Sequence, residues 1–334
     1  MEKSVKPICN MKNFSLDFQQ DGKLLRAVNS IDLEIHAGEM VALIGESGCG
    51  KTMTALSLIG LTPENAKLSG SIQFKGQELL QLKEEEWETY RGNRISMIFQ
   101  EPMTALNPLI KVGKQIGENI HIHRKVTKEE EREKVLAMLH MVGLPDVERI
   151  SQCYPHQLSG GQRQRVMIAL AFVNEPDLLL ADEPTTALDV TIQAQIMELM
   201  KKMNQETHTA VLLISHDLGV IRNMCSRVYI MYAGKIVESG RVSDVLEDPI
   251  HPYTRGLVAA IPSAGKKGKE LYSIPGTVPA LDQRSNQGCP FSNRCFASDA
   301  CCEDKTPAFY PYMGRKIFCH FSPDEIYSKS TKEE

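Results

Sequence analysis

The spacing of hydrophobic and polar positions changes several times along the chain, and each change predicts an element. Apolar residues recur at near-alternate positions at Val28, Ile31, Leu33 and Ile35; a turn at Ala37-Gly38 and the unbroken run Met40 to Ile44 follow. Alternation marks a half-buried strand and a short continuous run a buried one. The glycine-rich stretch GESGCGKT comes next and then TALSLIGL, which has helical spacing, so strand, loop and helix are predicted in succession. Further on, KEEEREKVLAMLHMVGL sets Val135, Met138, Leu139 and Val142 on one stripe facing a core, with Lys128 to Lys134 as the solvated side. DLLLADEP and AVLLISHD read as two more buried strands, each ending in polar residues. Strands that alternate with helices predict an α/β core with a mainly parallel sheet. Past about residue 249 the period is lost and Pro, Gly and Lys accumulate, which predicts a linker to a small C-terminal appendage. No internal repeat is visible.

Composition narrows the classes. The 334 residues are 42% apolar and 24% charged, as in ordinary globular chains, and the net charge of -4 gives no general pull toward nucleic acid. Apolar runs such as Met167 to Val173 and Leu178 to Ala181 fall far short of the roughly 20 residues that span a bilayer. The N-terminus has no apolar h-region, so no secretory signal is expected and a cytosolic location is. In a reducing compartment clustered thiols are candidate metal ligands rather than disulfides. Five of the nine cysteines fall between Cys289 and Cys319, while Cys9, Cys153 and Cys225 are expected to be small buried hydrophobes.

The candidate chemistry begins at Gly45-Glu46-Ser47-Gly48-Cys49-Gly50-Lys51-Thr52, which fits G-x-x-x-x-G-K-[ST] without a mismatch. The glycines let backbone N–H groups turn inward around phosphate oxygens, Lys51 neutralises the β- and γ-phosphates, and the Thr52 hydroxyl suits Mg²⁺. The following helix points its positive end at the same anion. Cys49 sits at that helix N-terminus, where the dipole predicts a thiolate open to alkylation and protected by bound ATP. Asp182 and Glu183 end the strand-like run Leu178 to Ala181, the edge at which open α/β sheets bind ligands. Asp182 suits the Mg²⁺ shell and Glu183 the attacking water. Neighbours on a strand point to opposite faces, so their roles should differ. His216, after the next strand, suits the γ-phosphate, and the amide of Gln100, after ISMIF, suits metal and water.

The run Leu158-Ser159-Gly160-Gly161-Gln162-Arg163-Gln164-Arg165 resembles the signature of ATP-binding-cassette (ABC) ATPases, and the other motifs fall in the order of that family: phosphate loop, Gln100, signature, Asp182-Glu183, Ala187-Leu188-Asp189 and His216. FQEPMTALNP, HPYTRGL and the late cysteines are similar to the ATPase subunits of oligopeptide, dipeptide and nickel importers. The resemblance implies a P-loop fold with a RecA-like sheet, an antiparallel β subdomain and a helical subdomain over about 102–165. It puts the ATPase domain at 1–250 and an importer-type extension at 251–334. It implies hydrolysis of MgATP, with Ser159, Gly160, Gly161, Gln162 and Asp189 acting on nucleotide across a dimer. The implied partners are two permease subunits, a second ATPase that is a paralogue, and an extracytoplasmic substrate-binding protein, with the chain peripheral on the cytoplasmic face of the membrane. An aromatic upstream of the loop would stack on adenine, with Phe18 the candidate and Phe14 the alternative. Peptide import is the expected function; a nickel or metal-chelate importer, an exporter subunit and a soluble ABC ATPase are the alternatives.

Cys289, Cys295, Cys302 and Cys319 are separated by five, six and sixteen residues, a spacing that leaves an iron–sulfur cluster, zinc and mere packing open. The resemblance implies a [4Fe–4S] cluster on these four, with Cys301 as the alternative to Cys302.

Overall fold

The computed structural model describes residues 6–100, 105–186, 188–261, 272–285 and 287–330. Its strands run in chain order as β1 (Cys9–Gln20), β2 (Lys23–Ile35), β3 (Met40–Ile44), β4 (Ala66–Phe74), β5 (Gln77–Glu78), β6 (Ile95–Ile98), β7 (Leu178–Asp182), β8 (Ala210–Ile214), β9 (Arg227–Tyr232), β10 (Lys235–Arg241), β11 (Phe309–Tyr312) and β12 (Arg315–Phe318). Two compact units contain them. Among the described residues no helix is long and apolar enough to cross a membrane.

One unit, formed mainly by Pro7–Glu34, Val41–Leu80 and His216–Glu334, carries the glycine loop. All five residues of β3 are buried, as the unbroken apolar run predicts, and they pair in parallel with β9 from Val41↔Arg227 to Ile44↔Ile230. The order continues through β10 and β12 to β11. The β9–β10 turn uses Ala233 (φ 43°) and Gly234 (φ 87°), and the β11–β12 turn uses Met313 (φ 46°) and Gly314 (φ 76°). Two positive φ values in a two-residue loop match the right-handed twist of paired strands. A second sheet, in the order β2-β1-β4-β5, is antiparallel where β1 meets β4. That pairing slips between Lys12 and Ser15, where Asn13 has φ 48°. Beyond residue 272 the chain packs into this unit: β12 pairs with β10 (Glu238↔Ile317), and Ile250, Ile317 and Ile326 form a small core under Phe296, Tyr310, Tyr312 and Phe321.

The other unit, chiefly Gln81–Ser215, has β6, β7 and β8 side by side and parallel, with Ile95↔Leu178 and Leu178↔Ala210 in register. Two of its helices start where side chains satisfy the orphan N–H groups. Thr127 and Glu130 form a capping box for Lys128–Met141, and the stripe Val135, Met138, Leu139 and Val142 is buried as predicted. Ser159 and Gln162 form a second capping box for Gly160–Phe172, whose residues Val166 to Ala169 are all buried.

Candidate functional site

In the unit with β3, the loop after Ile44 closes on itself. Lys51 opens the helix Lys51–Leu58 and its ammonium donates to the carbonyls of Gly45 (2.7 Å) and Glu46 (3.0 Å). A cation held on the inside of a loop is placed to meet an anion there. Gly48 and Gly50 have φ of 76° and 114°, a region that side-chain-bearing residues rarely adopt. A Cβ on Gly45 would stand 2.1 Å from the Met231 carbonyl oxygen, so only glycine fits. Ser47 and Thr52 are exposed. The strand, loop and helix predicted here are thus present in order.

Cys49 departs from expectation. Its side chain is fully buried, and burial raises the thiol pKa, with Lys51 offsetting only part of that rise. The dipole that would favour a thiolate loses to desolvation, so Cys49 is a packed thiol rather than a reactive one. Phe14 is likewise fully buried, which removes it as a stacking platform; Phe18, on β1 opposite Ala66, is half-buried. Of the scattered cysteines, Cys9 and Cys225 are buried as expected. Cys153 is only half-buried, its thiol donating to the Arg149 carbonyl at 3.3 Å. His216 is exposed in the same unit, and the next residue, Asp217, caps the helix Leu218–Met224.

In the other unit, Asp182 ends β7 and is buried, whereas Glu183 leaves the strand with φ 47° and its N–H donates to the Ile214 carbonyl at 3.0 Å. The left-handed backbone at Glu183 ends the strand there, so strand alternation does not carry past Asp182. Gln100 donates to Glu183 Oε2 at 3.1 Å, and the Thr186 hydroxyl donates to the same oxygen at 3.0 Å. Two donors on one oxygen fix the carboxylate's orientation. Ser159 Oγ accepts from Gln162 N–H and Gln162 Oε1 accepts from Ser159 N–H, so both side chains belong to the helix cap. A Cβ on Gly161 would come within 3.1 Å of Ile192. Asp189 caps Val190–Thr207 through the N–H groups of Thr191 and Ile192; Ala187 lies outside the described residues.

Several residues near these features escaped the sequence reading. Gln164 is buried and donates to the Pro184 carbonyl, tying the signature helix to the turn after Glu183. Tyr253, Arg284 and Arg294 all touch the glycine loop, although more than 200 residues separate them from it. Only the HPYTRGL string hinted at one of them.

The four cysteines Cys289, Cys295, Cys302 and Cys319 are mutual neighbours. Burial pushes the thiols of Cys289 and Cys295 up to about 12, and the surrounding cysteines add to it. Cys302 is buried and its carbonyl accepts from Cys289 N–H at 2.7 Å. Soft donors in this number suit iron–sulfur or zinc chemistry. Among the described residues, however, no three His, Cys, Asp or Glu side chains are disposed to hold a metal ion.

A glycine loop with an inward lysine, after a buried parallel strand and before a helix, defines a P-loop nucleoside triphosphatase. Residues 28–186 match the family model of the ABC transporter, and residues 237–302 match that of the oligopeptide/dipeptide transporter C-terminal region. The chain is 48% identical to the dipeptide transport ATP-binding protein DppD of Bacillus subtilis, over 86% of each chain. It is 46% identical to the oligopeptide transport ATP-binding protein OppD of Salmonella typhimurium, over 90% of this chain and 89% of that one. A dimeric ATP-binding cassette solved in a post-hydrolysis state with ADP and Pi superposes with a TM-score of 0.63 at 30% identity, over 70% of this chain and 98% of that one. The chain belongs to the ABC transporter ATPase family.

Proposed function

We propose that this chain hydrolyses MgATP to energise an importer of dipeptides or oligopeptides. The observation that carries the reading is the pairing, in one chain, of the lysine-bearing phosphate loop with a C-terminal region of the oligopeptide/dipeptide transporter type. In this reading Lys51 and the N–H groups of Gly48 to Thr52 hold the phosphates, and Thr52, Asp182 and Gln100 take Mg²⁺. Glu183 polarises the water, and His216 and Gln100 sense the γ-phosphate. Phe18 stacks on adenine. Ser159, Gly160, Gly161, Gln162 and Asp189 act on a nucleotide held by a second ATPase, a paralogue, so that ATP joins the two and hydrolysis releases them. Residues 1–250 form the cassette, whose helical subdomain at about 102–165 meets two permeases. A substrate-binding protein delivers peptide from the far side, and the chain works at the cytoplasmic face of the membrane.

The same reading gives Cys289, Cys295, Cys302 and Cys319 to a [4Fe–4S] cluster that staples the small C-terminal core. What supports it is the gathering of the four thiols, with those of Cys289 and Cys295 made costly to ionise by burial. Iron and acid-labile sulfide in anaerobically purified protein are the expected result; stoichiometric zinc without iron would overturn it.

The transport reading is tested by pulling the tagged chain from membranes, reconstituting what copurifies into vesicles, and measuring uptake of labelled peptide. ATP-dependent peptide uptake is expected. Uptake of nickel but not peptide would move the chain to the metal-importing branch, and copurification without any permease would reject transport.

A further inference from the structure

The outside of the phosphate loop is held by the C-terminal third of the chain. Tyr253 Oη accepts from the Glu46 N–H at 2.9 Å. Arg294 Nη1 donates to both carboxylate oxygens of Glu46, each at 3.1 Å, and to Tyr232 Oη at 3.3 Å. Arg284 donates through Nη2 to the Gly48 carbonyl at 2.7 Å and through Nη1 to the Ala27 carbonyl at 3.3 Å. The Arg294 side chain is 6% exposed, and Nε is anchored to the Pro275 carbonyl at 2.7 Å. The rings of Tyr232 and Phe291 lie 5.6 and 5.9 Å from its guanidinium carbon.

The geometry points to Arg294 and Arg284 as positioning residues for ATP binding: the C-terminal region preorganises the phosphate loop from outside and cancels the charge of Glu46. Two physical effects carry this, and both rest on the reading that the loop holds ATP. A loop with two left-handed glycines must be ordered around the phosphates, and every contact that orders it beforehand lowers that cost at the moment of binding. Glu46 also adds a carboxylate to an anion-binding loop. Left unpaired it would repel the phosphates; paired to a buried guanidinium it does not. Neither arginine is assigned a contact with the γ-phosphate or the attacking water, so they tune affinity rather than the chemical step. Loss of Arg294 should therefore raise KM for ATP and leave kcat nearly unchanged.

The test measures binding of an N-methylanthraniloyl-labelled ATP, with Mg²⁺, to the full chain and four variants. Arg294→Gln should weaken binding about tenfold, and Arg294→Lys, which keeps the charge but loses the fork, should fall between. Glu46→Gln added to Arg294→Gln should recover at least part of the lost affinity, because the stranded carboxylate is gone. Arg284→Met should weaken binding on its own, since it holds a different peptide. In the reconstituted complex Arg294→Lys should raise KM and keep kcat within about twofold of the parent. Parent-like binding by folded Arg294→Gln, or no recovery in the double variant, would overturn the proposal. A chain that binds no labelled ATP in its parent form would sink the nucleotide reading itself, and this proposal with it. Should Arg294→Gln not fold, Arg294→Lys and Arg284→Met decide the matter.

Discussion

Gly45 and Cys49 show how far residue types alone reach. The phosphate loop was legible because an anion dictates its residues: glycines where N–H groups must turn inward, and a lysine to meet the charge. What lies behind the loop was not legible, because it comes from distant sequence. Met231 lies beneath Gly45, and its carbonyl forbids even a methyl group there. Gly45→Ala is expected to abolish nucleotide binding, as equilibrium dialysis with MgATP would show. Cys49 looked reactive from its place at a helix start, yet its neighbours bury it completely. Iodoacetamide should leave Cys49 unmodified in the folded chain and label it after denaturation, as peptide mass spectrometry would report. Labelling of native protein at the rate of a free thiol would show that the burial is wrong. Phe14 illustrates the same limit: only packing separates it from Phe18.

Elements were legible where a period and its end signals coincide. The stripe on Lys128–Met141 is bounded by the Thr127 and Glu130 capping box, and helix and core face lie where the pattern puts them. The runs at β3, β7 and β8 likewise fold as buried parallel strands. The β1–β4 pairing was not legible, because the slip at Asn13 interrupts its alternation; the family resemblance implied an antiparallel β subdomain without its strands. The β11–β12 hairpin escaped altogether, since a four-residue strand beside a two-residue turn leaves too short a pattern to read. Caps carry a measurable share of helix stability. Asp189→Ala removes the acceptor for two N–H groups and should cost about 1 kcal/mol in urea unfolding. A change in ATP turnover much larger than that loss implies would mark Asp189 as acting on nucleotide as well.

At the scale of the molecule, the C-terminal region is part of the unit that carries the phosphate loop, and His251 sits at that junction. Its imidazole is fully buried, and burial pulls its pKa from 6.5 down to about 3; Nδ1 accepts from Tyr253 N–H at 3.1 Å. A group depressed on folding contributes stability above its unfolded pKa and loses it as pH falls toward the folded one. Stability should therefore drop between about pH 6.5 and pH 3, with a slope approaching about 1.4 kcal/mol per pH unit. Glu238, raised by burial and bonded to His251 N–H, runs the opposite way. The difference between the parent and His251→Asn isolates the imidazole. Thermal unfolding at stepped pH should show a shallower decline in the variant, and identical slopes would contradict the buried neutral histidine.

Whether Lys51 and Glu183 serve one hydrolytic cycle can be read from phosphate release and ATP retention in the complex purified from membranes. The parent should release phosphate from MgATP. Lys51→Ala should neither retain ATP nor release phosphate, whereas Glu183→Gln should retain ATP while release falls to background. Undiminished phosphate release by Glu183→Gln, or by Lys51→Ala, would show that these residues do not drive hydrolysis.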